Sequence, residues 1–224
     1  MTDTVSLSID GQALEVPAGT TIWDAARMLG IDIPVLCHST RMRPVGVCRM
    51  CVVDTGARNL QASCVRPCED GMVVQTDSEK VRRNRRMLLE LLMADYPAPG
   101  NREATTGDDE LLALAREYDV EHSRFQASAP AAPAPVDDSS PVIVVDHAAC
   151  ILCDRCIRGC DELQHNDVMT RSGKGAATHI AFDLDVPMGE STCVACGECQ
   201  AVCPTGALTN RSLHGLHVLA EDGE

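Results

Sequence analysis

Two stretches of this sequence constrain its fold more than any other: CILCDRCIRGC, from Cys150 to Cys160, and CVACGECQAVCP, from Cys193 to Pro204. Each spaces four cysteines at intervals of two, two and three residues, so that four thiols crowd one locus. A chain that does this twice folds around whatever those thiols hold. Composition points the same way. There are 13 cysteines among 224 residues while aromatic residues make up only 2%, so aromatic packing does not organise the interior.

The N-terminal segment MTDTVSLSIDG has no basic start, long apolar run or twin-arginine pair, and no later run approaches the roughly 18 apolar residues of a membrane helix. A cytoplasmic chain without a membrane span is the expectation. Thiols stay reduced there, which reads clustered cysteines as metal ligands rather than disulfides. The formal net charge of -14 argues against a nucleic-acid surface.

The doubled spacing, with Pro204 after the last cysteine, is that of bacterial 4Fe-4S ferredoxins, where the fourth cysteine of each run serves the other cluster. That pattern assigns Cys150, Cys153, Cys156 and Cys203 to one cubane. It assigns Cys193, Cys196, Cys199 and Cys160 to the other. Gly159, Ala195 and Gly197 are small enough to let the backbone approach and aim N–H groups at sulfur. Zinc is the competing occupant, because C-x2-C pairs bind it, although its sites usually take two separated pairs.

A third set, Cys37, Cys48, Cys51 and Cys64, has gaps of ten, two and twelve residues. A central C-x2-C flanked by two cysteines suits a 2Fe-2S centre, with a first gap longer than the four residues of plant-type ferredoxins. Gly46 lies in that longer loop and is expected to let amide groups face the centre. Zinc is again the alternative. Cys68 has no partner left and reads as a small buried side chain. His38 adjoins Cys37, but a Rieske centre needs two histidines at one iron.

The chain reads as α+β in three regions. Residues 1–78 form a β-grasp 2Fe-2S ferredoxin-like domain: VSLSI and ALEV are strands joined by an Asp10-Gly11 turn. The helix TIWDAARMLG follows, with Thr21 and Asp24 as a capping box and Gly30 as its stop. Further strands lie in RMCVVDT, NLQASC and MVVQT. Residues 79–140 form a helical connector. Its first helix presents Met87, Leu88, Leu91 and Leu92 on one face and ends at Pro97, while Arg82, Arg83, Arg85 and Arg86 read as a solvated face. A second helical patch, DDELLALAREYDVEH, leads into a linker rich in Ala and Pro. Residues 141–224 form a domain of the bacterial type with two 4Fe-4S clusters.

With three cluster motifs in this order, residues 3 to about 209 resemble the N-terminal region of the large (75 kDa) iron-sulfur subunit of respiratory complex I. They resemble more nearly the α subunit of soluble NAD-dependent formate dehydrogenases. The segments IPVLCHSTRMRPVGVCRMCVV, MLLELLMADYP, REYDVEHSRF, CILCDRCIRGCDELQHNDV and FDLDVPMGESTCVACGECQAVCPTGAL carry the resemblance. In that family the stretch after the long helix reads His-Pro and then three cysteines, which bind a further 4Fe-4S cluster. Here Tyr96 stands at the histidine position, and Gly100, Glu103 and Asp109 stand where the cysteines fall, so the fourth cluster is expected to be lost.

The resemblance implies an electron-transfer subunit with one 2Fe-2S and two 4Fe-4S clusters and no catalytic site of its own. Its partners would be a flavoprotein NAD(P)-binding subunit and a separate molybdenum or tungsten pterin catalytic subunit of formate dehydrogenase type, since the sequence ends at Glu224. The alternative is the diaphorase-side subunit of an NAD-reducing hydrogenase or another flavin-based complex. A third reading is an iron-sulfur sensor or a zinc-stabilised module, for which no DNA-reading element is visible.

Overall fold

The structure is a computed structural model that describes residues 3–97, 101–126 and 136–214; Gly100 and most of the Ala/Pro-rich linker lie outside these residues. The chain divides into two compact units, Met1–Leu89 with Glu117–Val120, and Glu90–Arg116 with Glu121–Glu224.

In the first unit, β1 (Thr4–Ile9) and β2 (Gln12–Pro17) pair antiparallel across the Asp10-Gly11 turn. Both turn residues have positive φ, 49° and 81°, which is the backbone of the type I′ turn that matches strand twist. Strand β5 (Met72–Val74) then lies parallel to β1, giving the order β2-β1-β5. A second pair, β3 (Val52–Val53) with β4 (Gln61–Ala62), completes the mixed arrangement expected of a β-grasp module.

Helix α1 (Ile22–Met28) starts where Asp24 N donates to Thr21 Oγ1 at 3.1 Å, satisfying one orphan amide. The Asp24 carboxylate accepts from the Thr21 hydroxyl at 2.6 Å, so the box closes on the side chain. Ile22, Trp23, Ala25 and Ala26 face inward against Leu7, Ile9, Val16 and Val74. Cys51, Cys64 and Cys68 belong to the same core. The Trp23 indole donates to Ile33 O at 3.0 Å, and His38 packs edge-on against it, so this histidine fills space beside Cys37.

Helix α2 (Glu79–Asp95) departs from the expected pattern. Val81, Arg85 and Leu89 are the buried stripe, at helical spacing, while Met87 and Leu91 are exposed. Arg85 is 3% exposed and donates to Val52 O at 2.8 Å and to Tyr118 Oη at 3.0 Å, both within the first unit. One arginine of the run therefore acts as a buried cross-link to β3.

In the second unit, α3 (Asn101–Thr105) and α4 (Glu110–Glu117, whose last residue belongs to the first unit) precede β6 (Ile143–Val145). Helix α5 (Arg155–Arg158) continues into a π-type turn over Gly159–Leu163, and the hairpin of β7 (Met169–Ser172) and β8 (His179–Phe182) follows. Helix α6 (Glu198–Val202) leads to β9 (Leu208–Asn210), which returns antiparallel to β6. Ile143, Val145, Val168, Ile180, Phe182, Met188 and Leu208 form the core together with Cys156, Cys160, Cys199 and Cys203. Among the described residues no helix is long and apolar enough to cross a membrane.

Arg85→Met leaves Val52 O and Tyr118 Oη without a donor, so it is predicted to lower stability by about 2 kcal/mol in anaerobic urea unfolding. Arg83→Met, on the exposed face, is predicted to change it by less than about 0.5 kcal/mol. A second expectation concerns the β7–β8 hairpin, where His179 has its pKa raised by Ala177 O and by Asp185, at 2.8 Å. A raised folded pKa adds stability that is fully present below the unfolded value near 6.5 and lost as pH rises through the folded value. Asp185→Asn is predicted to bring the His179 titration, followed by NMR, back toward that unfolded value.

Candidate metal centres

The strand pairing of the second unit decides which cysteines meet. Strand β6 runs into the first motif and β9 leaves the second, so their pairing carries the end of the second motif to the start of the first. Asp146 N donates to Ala207 O at 2.8 Å, and the buried Thr205 hydroxyl donates to Ala149 O at 2.8 Å. The β7–β8 hairpin does the converse. It leaves the first motif and enters the second, and its mouth is fastened by Asp183, which accepts from Thr192 N at 2.6 Å and donates through its amide to Val168 O.

Two recesses result. One is lined by Cys150, Cys153, Cys156 and Cys203, with Val145, Ile151, Ile180 and Leu208 among its apolar walls. The other is lined by Cys193, Cys196, Cys199 and Cys160, with Ile143, Val168, Met169 and Met188. In each, three thiols come from one repeat and the fourth from the other. Among the described residues no trio of His, Cys, Asp or Glu converges as a single ion requires. Four thiols spaced around an apolar void fit a multi-atom cluster, whereas tetrahedral zinc draws its sulfurs to about 2.3 Å from one point.

The repeats share an unusual backbone. Leu152 and Ala195, two residues after the first cysteine of each motif, have φ of 53° and 55°, and Asp154 and Gly197, four residues after it, have φ of 63° and 80°. Non-glycine residues rarely accept this conformation, which collects at functional sites and turns successive amides inward as an anion-binding nest. Accordingly Leu152 N donates to Cys150 Sγ at 3.5 Å and Ala195 N to Cys193 Sγ at 3.4 Å. Ala195 thus aims its amide at sulfur as expected, but Leu152 does the same in the other repeat, so small size is not what the geometry needs. Gly159 does something else: an added Cβ would lie 3.0 Å from Val202 Cγ2, so it gives room for α6 to pack against the turn that carries Cys160.

Burial pushes five of these thiols up: Cys150 rises to about 11 and Cys199 to about 12, each by desolvation, and Cys153, Cys156 and Cys160 shift the same way. A cationic occupant would favour the thiolate form of those five. Sequence reasoning missed Asn166, whose amide lies 3.9 Å from Cys196 Sγ, and Arg171, which donates to Leu152 O and to Asp154. Nothing in their spacing marks them; the hairpin delivers both.

In the first unit the thiols come as two pairs. Cys37 N donates to Cys48 Sγ at 3.3 Å and Cys48 N to Cys37 Sγ at 3.5 Å, while Met50 N also points at Cys48 Sγ, at 3.5 Å. A hydrogen bond from Cys64 lowers Cys51 to about 7, and the shared proton raises Cys64. Gly46, with φ of 64°, turns the long loop against Val65. Cys68 is buried and donates through its amide to Thr20 O at 2.8 Å, apart from both pairs.

Two of the substituted positions after α2, Tyr96 and Asp109, are hydrogen-bonded together. The Tyr96 hydroxyl donates to Asp109 at 2.5 Å and accepts from Gly206 N at 3.3 Å; Asp109 also caps α4 through Leu112 N, at 3.0 Å. Glu103 pairs with Arg116 at 2.6 Å.

Comparison with known proteins agrees with this division. Residues 2–79 match the 2Fe-2S iron-sulfur cluster binding domain, and residues 141–207 match the 4Fe-4S dicluster domain. The chain therefore carries domains for one 2Fe-2S and two 4Fe-4S clusters. It is 37% identical over 91% of its length to the NADP-reducing hydrogenase subunit HndD of Solidesulfovibrio fructosivorans, covering 36% of that protein. It is 35% identical over 91% of its length to an NADH-quinone oxidoreductase subunit of Rhizobium meliloti, covering 24% of that protein. The chain thus spans about a third or less of these relatives. A crystal structure of an NAD+-reducing [NiFe]-hydrogenase in the H2-reduced state contains a chain that superposes with a TM-score of 0.83 at 30% identity, covering 93% of this chain and 88% of that one.

Gly159→Leu is predicted to cost about 1–3 kcal/mol by overpacking against Val202, read as a lower midpoint in anaerobic thermal unfolding. Gly159→Ala should cost less, because the Val202 methyl it meets can turn away.

Proposed function

The chain belongs to the family of iron-sulfur subunits found in NAD(P)-linked hydrogenases and in NADH-quinone oxidoreductases, and from that premise we propose that it carries electrons within an NAD(P)-linked oxidoreductase complex. The observation that carries the reading is the exchange of Cys203 and Cys160 between two apolar recesses. It supports the crossed ligand sets inferred from spacing, with Cys37, Cys48, Cys51 and Cys64 holding the 2Fe-2S centre as two thiol pairs.

Iron-sulfur clusters exchange single electrons with little change of geometry, and the protein sets their potential through hydrogen bonds, charge and exposure. The chain's own residues supply those settings. The amides of Leu152 and Ala195 point at Cys150 and Cys193 and offset the charge on sulfur. Isoleucine, valine, leucine and methionine side chains give both recesses apolar walls, while Cys196 stays exposed at the rim of the second. Residues 79–140 act as a connector between a 2Fe-2S domain over 1–78 and a dicluster domain over 141–224.

The partners follow as part of the proposal. A flavoprotein that binds NAD(P) exchanges electrons at the 2Fe-2S end, and a catalytic subunit does so at the dicluster end. A pterin subunit of formate dehydrogenase type is favoured by the resemblance of the segments Asn166–Val168 and Pro187–Cys199 to that branch. A hydrogenase subunit is favoured by the 30% identity to a chain of an NAD+-reducing hydrogenase. Affinity purification of the complex with metal analysis decides between them: molybdenum or tungsten supports the first, nickel the second, and a chain that stays alone and redox-inactive toward NAD(P)H rejects both.

Cys203→Ser is predicted to remove the cubane signal of the Cys150 set and to leave that of the Cys193 set, in EPR spectra of the anaerobically reduced protein; Cys160→Ser should do the reverse. Each variant removing the signal of its own repeat would reject the crossed assignment.

A further inference from the structure

Arg102, in α3, has a side chain only 11% exposed, and it does not point to solvent. Its Nη1 donates to Cys203 O at 2.7 Å and lies 3.5 Å from Gln200 O and 3.4 Å from Thr205 O. The fork so formed closes the C-terminal end of α6 and the turn that delivers Cys203 to the recess of Cys150, Cys153 and Cys156. Its Nε and Nη2 pair with Asp108 at 2.9 and 2.8 Å, but the Asp108 side chain is 56% exposed. Water screens that carboxylate far more than it screens the guanidinium, so the positive charge facing Cys203 is only partly cancelled.

Asp146, His147 and Asp154 line the same recess. Asp154 pairs with Arg171 at 2.6 Å, and Arg155, next to it in sequence, pairs with Glu110 at 2.6 Å. Asp109, which is buried, is satisfied by the Tyr96 hydroxyl and by Leu112 N. Among these, Arg102 donates to the carbonyl of a recess cysteine itself. The Tyr96 hydroxyl, which accepts from Gly206 N, holds the same turn.

We propose that Arg102 is a positioning residue that raises the reduction potential of the 4Fe-4S cluster assigned to Cys150, Cys153, Cys156 and Cys203, so that of the two cubanes this one depends on a buried cation from the connector. The inference rests on the crossed ligand assignment. Reduction adds one electron, from dithionite in the test below, with no bond made or broken; the added negative charge is stabilised by a fixed cation at the ligand backbone.

The test is an anaerobic redox titration of the purified protein followed by EPR, with Cys203→Ser identifying which signal belongs to the recess. Arg102→Gln keeps a donor and removes the charge; it is expected to lower the reduced-to-oxidised ratio of that cluster at fixed poise on the order of tenfold, which is about 59 mV for one electron. Arg102→Lys is expected to stay close to the parent. Asp108→Asn removes an exposed countercharge and should shift the same cluster the other way, leaving the second cubane unmoved. A purely structural role gives no shift in Asp108→Asn and a loss of iron, without a change of potential, in Arg102→Gln. Unmoved potentials in clusters that load, or equal shifts in both cubanes, overturn the proposal. If Arg102→Gln fails to load, Asp108→Asn alone decides, an upward shift supporting the proposal and none overturning it. Removal of the other cubane's signal by Cys203→Ser instead rejects the ligand assignment, a failure distinct from that of Arg102.

Discussion

The antiparallel pairing of β6 with β9 is the constraint on which the second unit depends. It joins the strand before the first cysteine motif to the strand after the second, and it leaves Cys203 beside Cys150 rather than beside Cys199. The β7–β8 hairpin then makes the reciprocal exchange of Cys160. Neither recess can be completed by one repeat, so the site and the fold form together. The core around them holds one phenylalanine, Phe182, and otherwise aliphatic side chains, methionine and thiols, with Tyr96 at its edge. Protonated, these thiols pack as small apolar groups; as thiolates they are costly to bury. A cationic occupant would offset that cost, and its binding free energy would add to folding free energy.

Much of this was legible in the sequence because its signals are local. The Asp10-Gly11 turn between alternating strands, the Thr21 cap and the two cysteine runs each specify their conformation within a few residues. The crossed ligand sets were an expectation from spacing, and the lining of the two recesses accords with it. What escaped depends on contacts distant in sequence. Arg85 looks like its neighbours in an arginine run until Val52 and Tyr118 supply acceptors. Met87 and Leu91 read as a buried face, yet the helix turns Val81, Arg85 and Leu89 inward. Leu152 gives no hint of a left-handed backbone, because the contacts that accompany it include one from Arg171, nineteen residues on.

Both units bring cysteines into their cores. In the first, Cys51, Cys64 and Cys68 pack with Leu7, Ile9, Ile22, Trp23 and Val74. In the second, Cys156, Cys160, Cys199 and Cys203 pack with Ile143, Val145, Phe182 and Leu208. In each unit a change at the thiols is therefore felt by the apolar interior.

Iron and acid-labile sulfide per chain, with EPR of the anaerobically reduced protein, test the central claim most directly. The ligand count predicts about ten irons, one 2Fe-2S signal and two interacting 4Fe-4S signals. Zinc with little iron, or a second cubane missing from protein that is otherwise loaded and folded, would contradict it.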